Sequence, residues 1–333
     1  MSGGVASPLG TLPTSASAPV EWLALAGAVG TAVAHLCFKR AMGAGAARAL
    51  LAVRWSTGAA AMTLAMLSSG GWSALHLSGA VLVLAFGAIC GPVVGWLLYL
   101  RALPHLAVSV AQPIFNSSVV VAMALAVLFL GERPNSFTWL GAVLVLVGVH
   151  LLHQAGLRRA RQHLPRTAAA REASDRPLWG RLRGSPLLAL ALASAGCTGI
   201  ASFCFKVGVG ELPPLATNWV RTMVPSCVLG GLFLAGTLPL GASGAARSEP
   251  VLTARGAALA VAAGVANDVI GWGLRLFALQ HGPLTVVEPL AATSPLFAAL
   301  LGAWVLGERI GRRGWVGIGT TVLGGLLLGG LGR

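Results

Sequence analysis

The sequence predicts an all-α polytopic membrane protein with ten transmembrane helices in two inverted five-helix repeats. Three observations lead there. The 333-residue chain is 56% hydrophobic and only 10% charged, with a mean hydropathy of +0.81, whereas a soluble domain carries about 25% charged residues. Ten apolar runs follow one another, each near the ~20 residues a membrane helix needs. The last five runs also repeat residues of the first five. Composition alone excludes a water-soluble enzyme, a secreted disulfide scaffold and a disordered regulator. Cys37, Cys90, Cys197, Cys204 and Cys227 lie in apolar stretches without a CxxC pair and read as small core residues.

Residues 1–19 hold no Lys or Arg; a signal peptide would need a basic n-region, so they read as a flexible N-terminal tail. The first repeat occupies 20–155, with apolar runs at 20–39, 50–68, 78–100, 106–130 and 137–155. A basic linker at 156–185 follows, rich in arginine. The second repeat fills 186–331, with runs at 186–205, 215–239, 256–279, 284–307 and 314–331. Helices are the expected element, because each backbone N–H in lipid must be satisfied within its own segment. The alternating polar face of a porin strand is absent. In the last run Gly317, Thr321, Gly325 and Gly329 recur every four residues, a smooth ridge suited to close helix packing. Packing within a monomer is the expected use and homodimerisation the alternative.

The internal repeat is the most informative feature. Cys37-Phe38-Lys39 recurs as Cys204-Phe205-Lys206, and Val53-Arg54 as Val220-Arg221, at an offset of 167. Gly95-Trp96 recurs as Gly271-Trp272, Ala102-Leu103 as Ala278-Leu279, and Trp139 as Trp315, at an offset of 176. Leu130-Gly131-Glu132-Arg133 returns as Leu306-Gly307-Glu308-Arg309 at the same offset. One nine-residue insertion near 240–254 reconciles the two offsets. With five spans per copy, tandem copies must cross the membrane in opposite senses. That is the plan of secondary transporters, whose cargo site lies near the midplane between the halves.

These residues resemble the EamA-type drug/metabolite transporters. The likeness rests on the duplicated five-span unit, the Lys closing its first helix, the Arg opening its second and the Gly-Glu-Arg closing its fourth. It covers about 20–155 and 186–331. The resemblance implies a ten-helix fold around a central cavity lined mainly by spans one to four and six to nine. It also implies transport, often export, of small metabolites, amino acids or drugs.

Charge sets the expected orientation in the cell membrane. Outside the helix interiors, 17 Lys and Arg lie on the side of the linker and three on the side of both termini. The positive-inside rule puts the linker in the cytoplasm; the resemblance implies cytoplasmic termini instead, and the size of the charge bias favours the cytoplasmic linker. Arg158, Arg159, Arg161, Arg166, Arg171, Arg176, Arg181 and Arg183 have a single aromatic, Trp179, among them. The net charge of +14 therefore points to anionic lipid headgroups, not nucleic acid.

Ionisable residues inside a membrane mark functional sites by default. The two lysines, Lys39 and Lys206, are repeat mates; they either snorkel to the headgroups or line vestibules that attract an anion. Arg54 and Arg221, also mates, are structural clamps or cargo contacts. Asp268 and Glu288 are the two acids that fall in the interior of spans, away from their ends. Asp268, Trp272 and Arg275 follow at i, i+4 and i+7 and share one helical face, where Asp268 and Arg275 form an ion pair or contact cargo. Trp96 and Trp272 flank an apolar part of the cargo or pack the bundle. Glu288-Pro289 matches Gln112-Pro113, and proline favours a broken helix of the kind that exposes backbone dipoles to cargo. Asn116-Ser117-Ser118 and Ala292-Thr293-Ser294 come next, with local back-bonding as the expected role of the hydroxyls. Glu288 is the expected proton-coupling residue, with Asp268 beside it and Arg221 or Lys206 as its expected basic neighbours.

No GxxxxGK[ST] loop, HExxH pair or clustered histidines are present, so no ATP hydrolysis, metal or cofactor is expected. His35 reads as a packed or cavity-lining imidazole. The reading is a non-enzymatic exporter of a small polar or amphipathic metabolite, an amino acid or other organic anion or zwitterion. It works by alternating access, with proton coupling through Glu288. A passive channel or metal-ion facilitator is the alternative, and a membrane-embedded enzyme a more distant one.

Overall fold

A computed structural model describes residues 20–42, 47–75, 78–102, 114–162, 186–235, 253–307 and 309–331. Among them every regular element is helical. In chain order they are α1 (Val20–Met42), α2 (Ala47–Ser69) and α3, which runs as Gly79–Ala88, a π-helical segment Ile89–Gly95 and Trp96–Ala102. Next come α4 (Ile114–Phe129), α5 (Ser136–Gln162), α6 (Pro186–Glu211) and α7 (Pro214–Leu234). The helix α8 joins Ala254–Gly264, a π segment Val265–Gly271 and Trp272–His281. Two pieces, Leu284–Ala291 and Ser294–Leu306, make α9. Finally α10 comprises Arg312–Leu326 and a π turn Leu327–Leu331.

Over its described residues, each of the ten expected runs falls on one of these helices. Seven are long and apolar enough to cross a membrane among the described residues, and α4 is a shorter apolar helix. Several overrun their expected ends: α5 continues past 155 to Gln162, and α6 past 205 to Glu211. The outer surface carries large apolar side chains, including Trp22, Leu64, Leu82, Leu128 and Trp304, as a lipid-facing surface must.

The duplicated Gly-Glu-Arg motif has a local cause. Gly131 and Gly307 take φ of +67° and +66°, the left-handed conformation that ends a helix at little cost only for glycine. They stop α4 and α9 at equivalent points. Both helices are also broken at equivalent points. The Ser117 hydroxyl donates to the Ile114 carbonyl at 2.6 Å and the Thr293 hydroxyl to the Leu290 carbonyl at 2.6 Å, the local back-bonding expected of these hydroxyls.

The repeat also governs packing. Helix α1 lies against α8 and α9 of the second half, while its mate α6 lies against α3 and α4 of the first. Helix α2 meets α7 and α8; α7 meets α2 and α3; α5 meets α10. Each contact thus has its counterpart with the halves exchanged, as a pseudo-twofold requires. At the α5–α10 crossing the chain directions can be read from glycines. A Cβ on Gly141 would lie 2.8 Å from the Gly324 carbonyl oxygen, and one on Gly148 2.7 Å from that of Gly317. Rising numbers on α5 meet falling numbers on α10, so the mates run antiparallel. The ridge is used inside the monomer, but its stripe is Gly317, Thr321, Gly324 and Leu328. Gly325 and Gly329 turn toward Leu290 and Glu21. A 3.6-residue period, not a strict four, sets which face meets the neighbour.

Candidate functional site: a charged cavity between the halves

A cavity of about 580 Å³ lies between the halves, within the size range of small-molecule sites. Its wall includes Arg54, Trp96, Asn116, Arg221, Asp268, Trp272, Arg275 and Glu288. The cavity reaches the α1–α2 end of the bundle, where His35, Phe38, Leu51 and Trp55 line it. With spans alternating in direction, that is also the side of the linker.

Two π segments face this space, at positions separated by the repeat offset of 176. A π turn sets one residue out of register and recurs at functional sites. In α3 it contains Pro92, which lacks an N–H and clashes with the preceding turn. In α8 the equivalent residue is Asp268, buried at 6% exposure. Arg221 donates to Asp268 Oδ1 at 3.0 Å. Asn267 Nδ2 donates to the same oxygen at 2.9 Å, and Asn218 Nδ2 to the Asp268 carbonyl at 2.7 Å. The Asn218 side-chain oxygen accepts from Arg221 Nε at 2.8 Å. This carboxylate and guanidinium are therefore mutually neutralised and pinned.

A second pair completes the cluster. Arg275 Nη2 reaches both oxygens of Glu288 at 2.5 Å, and the Ser202 hydroxyl donates to Glu288 Oε1 at 2.8 Å. Trp272 separates the pairs: the Arg221 and Arg275 guanidinium carbons lie 4.4 and 4.1 Å from its ring centroid, both within cation–π range. Arg275 therefore pairs with Glu288, and Asp268 with Arg221, in place of the Asp268–Arg275 pair read from the i, i+7 spacing. The neighbour of Glu288 is likewise Arg275, not Arg221 or Lys206.

Other expected site residues fall elsewhere. Lys206 neither snorkels nor lines the cavity: its ammonium donates to the Leu279 and Gly282 carbonyls at 2.5 and 2.8 Å, where the end of α8 leaves carbonyls without helical partners. Lys39 is exposed near the end of α1 and outside the cavity wall. Thr293 is buried and back-bonded. Gln112 lies outside the described residues, as do residues 1–19 and 163–185. Sequence reasoning did not single out Ser202, Asn218, Asn267 or Trp55. Asn218 could have been found, three residues before Arg221 on one helical face; nothing in the sequence points to Ser202. Trp55 and Trp96 meet edge to face at 5.2 Å.

At the end opposite α1–α2 the bundle is tied shut. Glu132 accepts from the Leu284 and Thr285 amides at 2.7 and 2.9 Å and from the Thr285 hydroxyl at 2.7 Å. It thereby caps the start of α9 across the halves. Trp219 donates to Thr63 at 3.1 Å and meets Trp72 edge to face at 5.0 Å. Among the described residues no three metal-ligating side chains converge.

The profile of the EamA-like transporter family matches this chain twice, at residues 18–153 and 186–330. An uncharacterized transporter encoded in the cobO 3' region of Sinorhizobium sp is 27% identical over 138 residues, 41% of this chain and 92% of that protein. The uncharacterized transporter YwfM of Bacillus subtilis is 25% identical over 234 residues, 69% of this chain and 68% of its own. A probable 4-amino-4-deoxy-L-arabinose-phosphoundecaprenol flippase subunit, ArnE of Pectobacterium atrosepticum, is 36% identical over 59 residues, 18% of this chain and 52% of its own. One crystal structure of a protein superposes with a TM-score of 0.69 at 17% identity, covering 94% of this chain and 97% of that one. That likeness is one of fold.

Proposed function

We propose a function from one premise: this chain belongs to the EamA-like transporter family, and is a multi-pass membrane protein. It is a secondary active exporter of a small polar or amphipathic metabolite, an amino acid or other organic anion or zwitterion, working by alternating access. The observation that carries this reading is the cavity itself, a charged hollow between two inverted copies, reaching one end of the bundle while the other end is tied across the halves by Glu132 and Trp219. Exchanging the roles of the two copies would close the open end and open the closed one. A continuous passive pore does not fit a hollow closed at one end.

Orientation follows the charge bias, with 17 basic residues on the linker side against three opposite; the open end then faces the cytoplasm. Glu288 is the proton-coupling group. Protonating it removes the carboxylate from Arg275 and changes the net charge that cargo meets. Three experiments test the reading. Metabolite release from cells with and without the gene identifies cargo, and saturable counterflow of that cargo in proteoliposomes distinguishes a carrier from a channel. In the same vesicles Glu288→Gln abolishes proton-driven uptake while counterflow persists; uptake that still follows the pH gradient would refute the coupling role.

A further inference from the structure

The two halves present the same arginine to the cavity in different company. Arg221 is held by Asp268 at 3.0 Å, and Arg275 by Glu288. Arg54, the repeat mate of Arg221, also lines the cavity, yet among the described residues no carboxylate lies within ion-pair range of it. Where the second half carries Asp268, Arg275 and Glu288, the first carries Pro92, Tyr99 and Gln112. The described wall thus holds three guanidinium groups and two carboxylates, and the one uncompensated positive charge is on Arg54. Around it the wall is aromatic. The Phe38 ring lies 5.9 Å from the guanidinium carbon, Trp55 and Trp96 form their edge-to-face pair, and Phe115 is opposed to Tyr99 at 5.0 Å. A half-buried arginine facing a cavity finds its partner in what enters.

We infer that Arg54 is the anion-recognition residue of the cavity, and that the cargo is an organic monoanion with a flat apolar body, its carboxylate or similar oxyanion on Arg54 and its body among the first-half aromatics. This rests on the transporter reading and narrows it: Arg221 and Arg275 are already neutralised and do not supply the anion site. A single charge is complemented by one anionic group; a dianion would leave one charge unpaired in a partly desolvated space. The aromatic walls add face and edge contacts for a planar body.

The test uses the full chain in lipid nanodiscs and three probes that share one body and differ in charge: phenylacetate, phenylacetamide and phenethylamine. Binding is read as the ligand-dependent rise of the unfolding midpoint. The acid is expected to bind about tenfold or more tightly than the amide, since hydrogen bonds to charged groups are the strong ones, and the amine weaker still. Arg54→Gln removes that preference and Arg54→Lys keeps most of it. Pro92→Asp gives the first half the acid that the second carries at the equivalent position. It leaves Arg54 in place and also abolishes the preference, which serves if Arg54→Gln does not fold. Acetate alone binds far more weakly than phenylacetate. Equal binding of acid and amide, no binding of any probe, or a preference that survives both Arg54→Gln and Pro92→Asp overturns the inference. Selective binding of the acid with no counterflow of any solute would instead leave the Arg54 site standing and remove the transporter reading.

Discussion

Trp272 sits between two guanidinium groups, 4.4 and 4.1 Å from its ring, and it keeps two like charges apart while each finds its own carboxylate. Trp272→Phe keeps an aromatic face and weakens the cluster modestly. Trp272→Leu removes both cation–π contacts, at about 0.5–2 kcal/mol each, and is expected to lower the thermal midpoint of the detergent-solubilised protein by clearly more. Asp268→Asn leaves Arg221 buried without its counter-charge. Breaking one side of such a pair costs about 3–5 kcal/mol, so this variant is expected to unfold far earlier than Ser202→Ala, which loses one hydrogen bond to Glu288, about 1 kcal/mol. Both acids were legible in the sequence as the ones deep inside spans, and both line the cavity. Their partners were not legible, for a local reason. In a straight α-helix Asp268 and Arg275 share a face, but the π turn over Val265–Gly271 displaces one against the other by about the 100° that one residue subtends.

Among the elements, the crossing of α5 and α10 is the least tolerant. A Cβ on Gly324 would stand 2.7 Å from both the Gly141 carbonyl oxygen and the Val145 nitrogen, and backbone cannot yield as a side-chain tip does. Gly324→Val is therefore expected to destabilise by about 1–3 kcal/mol or more, whereas Gly319→Val, where an added Cβ would meet open space, shifts the thermal midpoint little. Glu132 gives a second contrast. Glu132→Ala strips the acceptor from the Leu284 and Thr285 amides, a loss of about 0.5–2 kcal/mol. The start of α9 should then exchange amide hydrogens faster, while the α5–α10 crossing does not. The duplication of Gly-Glu-Arg was plain in the sequence; its use was not. The glycine ends one helix and the glutamate caps another 152 residues away, and no local pattern announces a partner at that separation.

At the scale of the molecule, reciprocal packing makes orientation a single yes-or-no quantity. If the linker faces the cytoplasm, trypsin cuts its arginines in inside-out vesicles and spares them in right-side-out vesicles; the reverse result would place both termini in the cytoplasm. The same frame predicts labelling. In a variant without its five cysteines, Leu51→Cys on the cavity wall is expected to react with an impermeant thiol reagent from the linker side only, until cargo protects it. Ten spans, two copies and their opposed directions were all legible, because lipid forbids most alternatives and five is odd. Which end of the cavity is tied shut was not, since an exchangeable pair of halves favours neither.

The inequality at positions 92 and 268 has an evolutionary consequence. Two identical subunits assembled head to tail would have to place an aspartate on both walls or on neither. Fusion of the copies into one polypeptide lifts that restriction, so one wall could gather its own counter-ions and become a fixed support while the other kept an unanswered charge for a guest. Specialisation of this kind is open only to a duplicated gene.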